Sequence, residues 1–309
     1  MKILGIGNAI VDVICKVDEE YLSKNKLEKG TMKLIFEEHE FQKLLSNLKI
    51  IKTVSGGSVA NSIVGLSQLG NSVGFIGKIC DDNFGAKYEV GLKKENVNFF
   101  YKKKNEEIPT GICLILITPD SERTMCTYLG ISGKIKENDL DNEAIKKSEI
   151  VFLEGYLWDE GDAKKAFEKA IIQANRVAMS LSDKFCVNRH KSHFLNLVKN
   201  KLDIVFANEG EINSLIDSNN FKEVISFAKK INKHMVITRG DKGAISIYKN
   251  EIFEIKAKND LKIVDLTGAG DLFASGYLHG LVNNFSIKEC LTKATDMSSK
   301  VIQQIGARL

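Results

Sequence analysis

The residues best suited to chemistry cluster late in the chain, at Val264-Asp265-Leu266-Thr267-Gly268-Ala269-Gly270-Asp271. This reads as an apolar strand entering a Gly-rich turn, with a helix starting beyond it. The first turn of a helix carries free N–H groups and the positive end of the dipole. Gly268 and Gly270 would let a phosphate approach those groups closely. Asp271 would point at the same spot. An acid beside an anion site is repulsive unless it has a task, such as accepting the proton of a hydroxyl that attacks phosphorus. The same residues equally suit a tight turn with Asp271 as its N-cap.

Three further stretches carry polar groups at element ends. Ser55-Gly56-Gly57-Ser58-Val59-Ala60-Asn61 leads into Ile63, Leu66 and Leu69, an amphipathic helix with a glycine entry and Gly70 as a natural stop. Asn61 can bond a ligand hydroxyl there or simply belong to a capped structural helix. Gly5, Gly7, Asn8 and Asp12 mark the first strand. Asp12 can accept from two vicinal hydroxyls, as a sugar offers, or merely end the strand. The spacing fails the dinucleotide fingerprint G-x-G-x-x-G. Asn208-Glu209-Gly210-Glu211 follows an apolar run and offers oxygen ligands suited to hydrated Mg²⁺. It also suits a helix cap with an acidic first turn.

Other chemistries are excluded or weakly supported. G-x-x-x-x-G-K-[ST] is absent, so this is not a P-loop protein. The six cysteines form no CxxC pair and no zinc-ligand spacing, and read as reduced, buried thiols. His190 and His193 lack a further ligand cluster, and Trp158 reads as packing. At 43% hydrophobic and 27% charged, the chain is a globular protein rather than a disordered or collagen-like one. The net charge of +4 is spread out, and Lys102-Lys103-Lys104 is followed by Glu106 and Glu107. With no basic stripe, nucleic acid is not an expected partner. The opening MKILGIGNAIVDVI contains Asp12 and no small-residue cleavage site, so it reads as a strand rather than a signal peptide. The apolar runs are too short to span a membrane, and a cytoplasmic protein is expected.

From about residue 148 strands and helices alternate, which predicts a mostly parallel sheet with helices on both faces and ligands at the carboxyl ends of the strands. Two stretches break this pattern. Residues 13–52 hold Val13–Val17 and Thr31–Ile35, each followed by a polar helix-like segment. Residues 97–130 hold Asn98–Lys103, Gly111–Thr118 and Arg123–Leu129, which read as antiparallel strands. Both prolines, Pro109 and Pro119, fall in the second stretch. The expected organisation is a large domain of 1–12, 53–96 and 131–309, with 13–52 and 97–130 forming a small β-sheet lid.

Taken together, these residues resemble the ribokinase-like, or PfkB, family of sugar and nucleoside kinases. The resemblance spans nearly the whole chain. It rests on Gly56-Gly57…Asn61 continuing through Gly74-Phe75-Ile76-Gly77-Lys78, Asp81-Asp82 and Phe84-Gly85, on Asn208-x-x-Glu211, on Thr238-Arg239-Gly240-Asp241-Lys242-Gly243, and on Asp265 to Asp271, in that order. Gly7–Asp12, Glu122–Met125, Ser182–Val187 and Gly306-Ala307-Arg308 are most similar to bacterial adenosine kinases.

The resemblance implies a three-layer α/β/α domain with a β-sheet lid. It implies ATP-dependent phosphoryl transfer to a primary hydroxyl of a ribose-containing acceptor. Adenosine, giving AMP, is the first choice, with inosine, guanosine, ribose or fructose as alternatives. Asp271 would be the base, and Gly268, Ala269 and Gly270 the anion hole. Asn8, Asp12, Gly56, Gly57 and Asn61 would hold the sugar. Arg123, on a lid strand, would reach phosphate or acceptor. Asn208, Thr238, Gly240 and Lys242 would lie along ATP, and Glu211 with Asn208 would organise Mg²⁺ through water. Asp265 and Thr267 stand where family members bind K⁺, although with the chain ending at Leu309 a more C-terminal ligand can be missing. Either a monomer or a lid-paired homodimer is consistent with it.

Overall fold

The computed structural model describes residues 1–46, 48–120, 122–159 and 162–309. Its larger sheet has nine strands. From one edge they run β14 (Glu251–Ile255), β13 (Ala244–Tyr248), β12 (His234–Thr238), β11 (Ile204–Asn208) and β10 (Val177–Ser180), then β9 (Ile150–Glu154), β1 (Ile3–Ile6), β5 (Val73–Ile76) and β6 (Asn98–Phe99). All pairs are parallel except the two formed by β13. Helices α3 (Ser58–Gln68), α4 (Asn83–Lys94), α10 (Ala269–Val282) and α11 (Ile287–Val301) share a core with one face. The other face packs α5 (Asn142–Lys147), α6 (Ala163–Gln173), α7 (Lys184–Asn200), α8 (Glu209–Ile216) and α9 (Phe221–Ile231). The period of two along each strand explains the division. In β9, Ile150 and Phe152 face the first core while Val151 and Leu153 face the second.

The second sheet has five strands in the order β3 (Met32–Leu34), β8 (Arg123–Tyr128), β7 (Gly111–Ile117), β2 (Ile10–Lys16) and β4 (Ile50–Ser55). One of its faces packs Val11, Val13, Leu114 and Leu116 against α1 (Glu19–Lys24) and α2 (Glu38–Ser46), through Leu22, Phe41 and Leu44. The alternate residues Ile10, Cys113, Ile115 and Met125 form the opposite face. The architecture is therefore the expected α/β/α sandwich with a small sheet. No helix among the described residues is long and apolar enough to cross a membrane. All six cysteines are free and buried.

Several elements differ from the sequence expectation. The small sheet begins at Ile10, so Asp12 lies inside β2 rather than at a strand end. It also includes β4, which the sequence did not mark, running on to Ser55. Asn98–Phe99 pairs parallel with Gly74–Phe75 and so belongs to the large sheet, where Phe99 stacks on Phe75. The small sheet is mixed, since β2–β7 and β3–β8 are parallel. Residues before the Gly-rich turn form no strand. Ile263, Val264 and Leu266 are exposed, and the backbone of Val264 and Asp265 is held by the Ile302 carbonyl instead.

Candidate active site

The polar residues of interest converge because two helices and two strands meet closely. Gly5 has no room for a side chain. A Cβ there would stand 2.6 Å from Ile63 Cγ1 and 2.7 Å from Val59 Cγ1, so α3 lies directly on β1. Gly65 likewise lets α3 approach α10, where Ser275 Oγ donates to the Ser62 carbonyl at 2.8 Å. This seam brings the first turns of α3 and α10 together. Ser58 Oγ donates to Asp271 Oδ1 at 2.6 Å and Asn61 Nδ2 to Oδ2 at 3.1 Å. Asp271 is thus the third residue of α10, and the N-cap is Gly268, at φ 78° with no side-chain cap.

Two clefts meet at Asp271. The first, about 670 Å³, lies under the open face of the small sheet. Its polar end holds Asn8, Asp12, Gly57, Asn61 and Asp271, while Ile10, Cys113, Ile115, Met125 and Leu129 line the apolar end, with Phe36 and Phe185 largely exposed. The second, about 320 Å³, holds Asn208, Glu211, Thr238 and the Gly268–Asp271 turn. It shares Thr238, Ala269 and Gly270 with a further pocket of about 180 Å³ that also takes in Gly240. The paired glycines serve the first cleft. A side chain on Gly56 would meet the Asp12 carboxylate at 2.5 Å, and one on Gly57, at φ 97°, would collide with the Asn8 carbonyl.

Not every expected residue offers its side chain to a cleft. Asn8 lines the first cleft, but its amide is engaged within the protein, Nδ2 donating to Glu154 Oε1 at 2.8 Å and Oδ1 accepting from Ser132 at 3.3 Å. Lys242 is exposed and faces Glu209 at 3.7 Å rather than either cleft. Arg123 reaches across from the small sheet to pair with Asp265. Asp265 also accepts from Thr267 N at 3.0 Å, Thr267 Oγ1 at 2.7 Å and Gly306 N at 2.8 Å. Its charge is already met by a guanidinium and its oxygens by other donors, so this arrangement does not fit K⁺. Asn208 and Glu211 form a reciprocal cap at the start of α8, as one reading of the sequence allowed. Glu211 keeps free lone pairs beyond those hydrogen bonds, so the pair also fits a hydrated Mg²⁺ at the edge of the cleft.

Three residues to which the sequence reading gave no role belong to the site. Ser58 binds Asp271. Glu154 closes an apolar strand, where polar residues are worth inspecting, and accepts from Val59 N at 3.0 Å as well as from Asn8. Arg308 donates from Nε to Asn61 Oδ1 at 3.0 Å. Its run Gly306-Ala307-Arg308 contributes to the family resemblance, which gave Arg308 no role.

Burial disturbs the acids here. It pushes Asp271 up to about 6, against the Ser58 and Asn61 hydrogen bonds and the Arg308 charge. It pushes Asp12 up to about 7, opposed by Arg308 and reinforced by Asp271. Glu154 and Glu211 are each raised by burial to about 7. These four bind protons more tightly folded than unfolded, so their contribution to stability falls as pH rises between about 4 and 7. His234, pushed down to about 4 by burial, and His279, also lowered by burial, act in the opposite sense, but are two groups against four. The ligand-free protein should therefore melt higher near pH 5.5 than near pH 7.5, at about constant ionic strength. Scanning calorimetry showing the reverse order would refute the inverted carboxylates.

Comparisons with known proteins identify the family. The description "pfkB family carbohydrate kinase" matches residues 27–309. The structure is similar to that of adenosine kinase from Sinorhizobium meliloti, with TM-score 0.90 and 34% identity, covering 100% of this chain and 95% of that one. Adenosine kinase 2 of Arabidopsis thaliana is 26% identical over 98% of this chain and 94% of its own. A 5-dehydro-2-deoxygluconokinase of Clostridium botulinum is 27% identical over 85% and 82%. The chain belongs to the pfkB family of carbohydrate kinases and acts as an ATP-dependent kinase.

Proposed function

We propose that the protein transfers the γ-phosphoryl group of ATP to the primary hydroxyl of a nucleoside, with adenosine as the acceptor and AMP as the product. The supporting observation is the division of the cleft under the small sheet. It joins a polar group ending on Asp271 to a wall of Ile10, Cys113, Ile115, Met125 and Leu129, beside which Lys33, Asp183 and Arg189 also line the cleft. A ribose fits the first and a purine the second, with Phe36, Phe185 and Met125 available for contact with the base. A free sugar would leave that wall uncovered.

In this reading Asp12 and Asn61 hold the ribose hydroxyls, and Gly57 lets the sugar approach the backbone. The acceptor hydroxyl gives its proton to Asp271 as its oxygen bonds to the γ-phosphorus. The bond to the bridging oxygen breaks, and ADP leaves. The first turn of α10, at Gly268, Ala269 and Gly270, stabilises the charge on the transferring oxygens. Thr238 and Gly240 flank the rest of ATP. Asn208 and Glu211 would hold the water shell of Mg²⁺, which when bound would neutralise phosphate charge. Arg123, paired with Asp265, ties the small sheet over the junction of the clefts.

The relatives that act on 5-dehydro-2-deoxygluconate, as their names state, favour a second reading, a sugar-acid kinase. A screen of ATP consumption with Mg²⁺ separates the two. Adenosine, inosine, guanosine, ribose, fructose and 5-dehydro-2-deoxygluconate should be compared, with and without K⁺. Adenosine should give the highest kcat/KM. Turnover of a free sugar or sugar acid with none of adenosine would overturn the first reading.

A further inference from the structure

The segment Gly306-Ala307-Arg308 touches three parts of the site at once. Gly306 N donates to Asp265 Oδ2 at 2.8 Å. Ala307 packs so tightly on Gly268 that a Cβ there would stand 2.6 Å from the Ala307 Cα. Arg308 Nε donates to Asn61 Oδ1 at 3.0 Å, and its buried Nη2 has no hydrogen-bond partner among the described residues.

A guanidinium has donors only. Asn61 must therefore turn its oxygen toward Arg308, which leaves its Nδ2 for Asp271 Oδ2 at 3.1 Å. Without that donor the amide could turn over and present an oxygen to the carboxylate, which would repel it. Arg308 also faces Asp12 on β2 and Asp271 on α10, together with Tyr88 and Glu95 of the α4 region. The remaining groups around Asp271 are Ser58, Asn61, Asp12 and Glu154, of which only the first two favour its charge. Arg123 also favours the Asp12 charge but is already paired with Asp265, while Lys33 and Arg189 line the same cleft.

We propose that Arg308 is a positioning residue for phosphoryl transfer, fixing the Asp271 carboxylate through Asn61 and supplying the positive charge that faces the Asp12–Asp271 pair. This rests on the assignment of Asp271 as the base, which Asp271→Asn tests separately.

The test is a pH profile of kcat and KM for the intact enzyme with ATP and adenosine, or with ribose should adenosine give no turnover. Arg308→Ala should lower kcat by about 10²-fold, the scale of a misplaced reacting group, with KM for ATP little changed. Its acid limb should move up by about one pH unit, as expected on removing a single cation near a carboxylate. Arg308→Lys keeps the charge without the planar fork, so it should hold the limb in place while only partly restoring kcat. Millimolar ethylguanidinium should raise kcat of the alanine variant and return its limb toward that of wild type. An unmoved limb in Arg308→Ala, or wild-type kcat, would overturn the proposal. If the alanine variant does not fold, the lysine variant decides: a displaced limb or an unchanged kcat would overturn it.

Discussion

Asp271→Asn is expected to lower kcat by about 10² or more while ATP affinity changes little. The substitution keeps the shape of the side chain and its acceptor oxygen, so one of the bonds from Ser58 and Asn61 survives. It removes the ability to take a proton. The carboxylate touches both clefts, and the variant loses its proton acceptor together with its charge and one of those hydrogen bonds. Burial raises Asp271 to about 6, so the wild-type rate should fall as pH drops through that value. The asparagine variant should lack this limb or show it displaced. Steady-state kinetics across pH, with ATP binding followed by calorimetry, provides the measurement. Wild-type turnover in the variant would remove Asp271 from the chemistry.

Much of this was legible because local pattern and tertiary role coincide. Gly268 and Gly270 mark a helix start whatever surrounds it. The alternation of strand and helix after residue 148 fixes a parallel sheet, whose strand ends carry Asn208 and Thr238. Other features depended on contacts between distant parts of the chain. Ser58 matters because α3 meets α10, which joins residues 213 positions apart. Nothing near Arg308 in sequence shows that it reaches Asn61. Arg123 and Asp265 were each assigned a ligand from the family resemblance, yet the fold turns them toward each other. Two like-looking runs, Asn98–Phe99 and Gly111–Ile117, join different sheets because hydrophobic periodicity gives a strand but not its neighbour.

The two glycines of the α10 turn should respond differently to the same change. Gly268 sits at φ 78°, and a Cβ there would lie 2.6 Å from the Ala307 Cα and 2.8 Å from its carbonyl oxygen. Gly268→Ala therefore strains the backbone by about 1–2 kcal/mol and pushes against the segment carrying Arg308. It should lower the melting temperature, and should reduce kcat by on the order of 10²–10³ if one anion-hole donor is displaced. At Gly270 nothing lies within 4 Å of a Cβ, and the residue is already helical. Gly270→Ala should leave melting unchanged or slightly raised, since alanine favours a helix by about 1 kcal/mol over glycine. Its methyl group faces the open cleft, so the penalty should fall on ATP, as a raised KM. Melting curves and KM for ATP in the two variants give the comparison. Equal stability loss at both positions would mean that both glycines serve the backbone, and that neither is kept free for the phosphate.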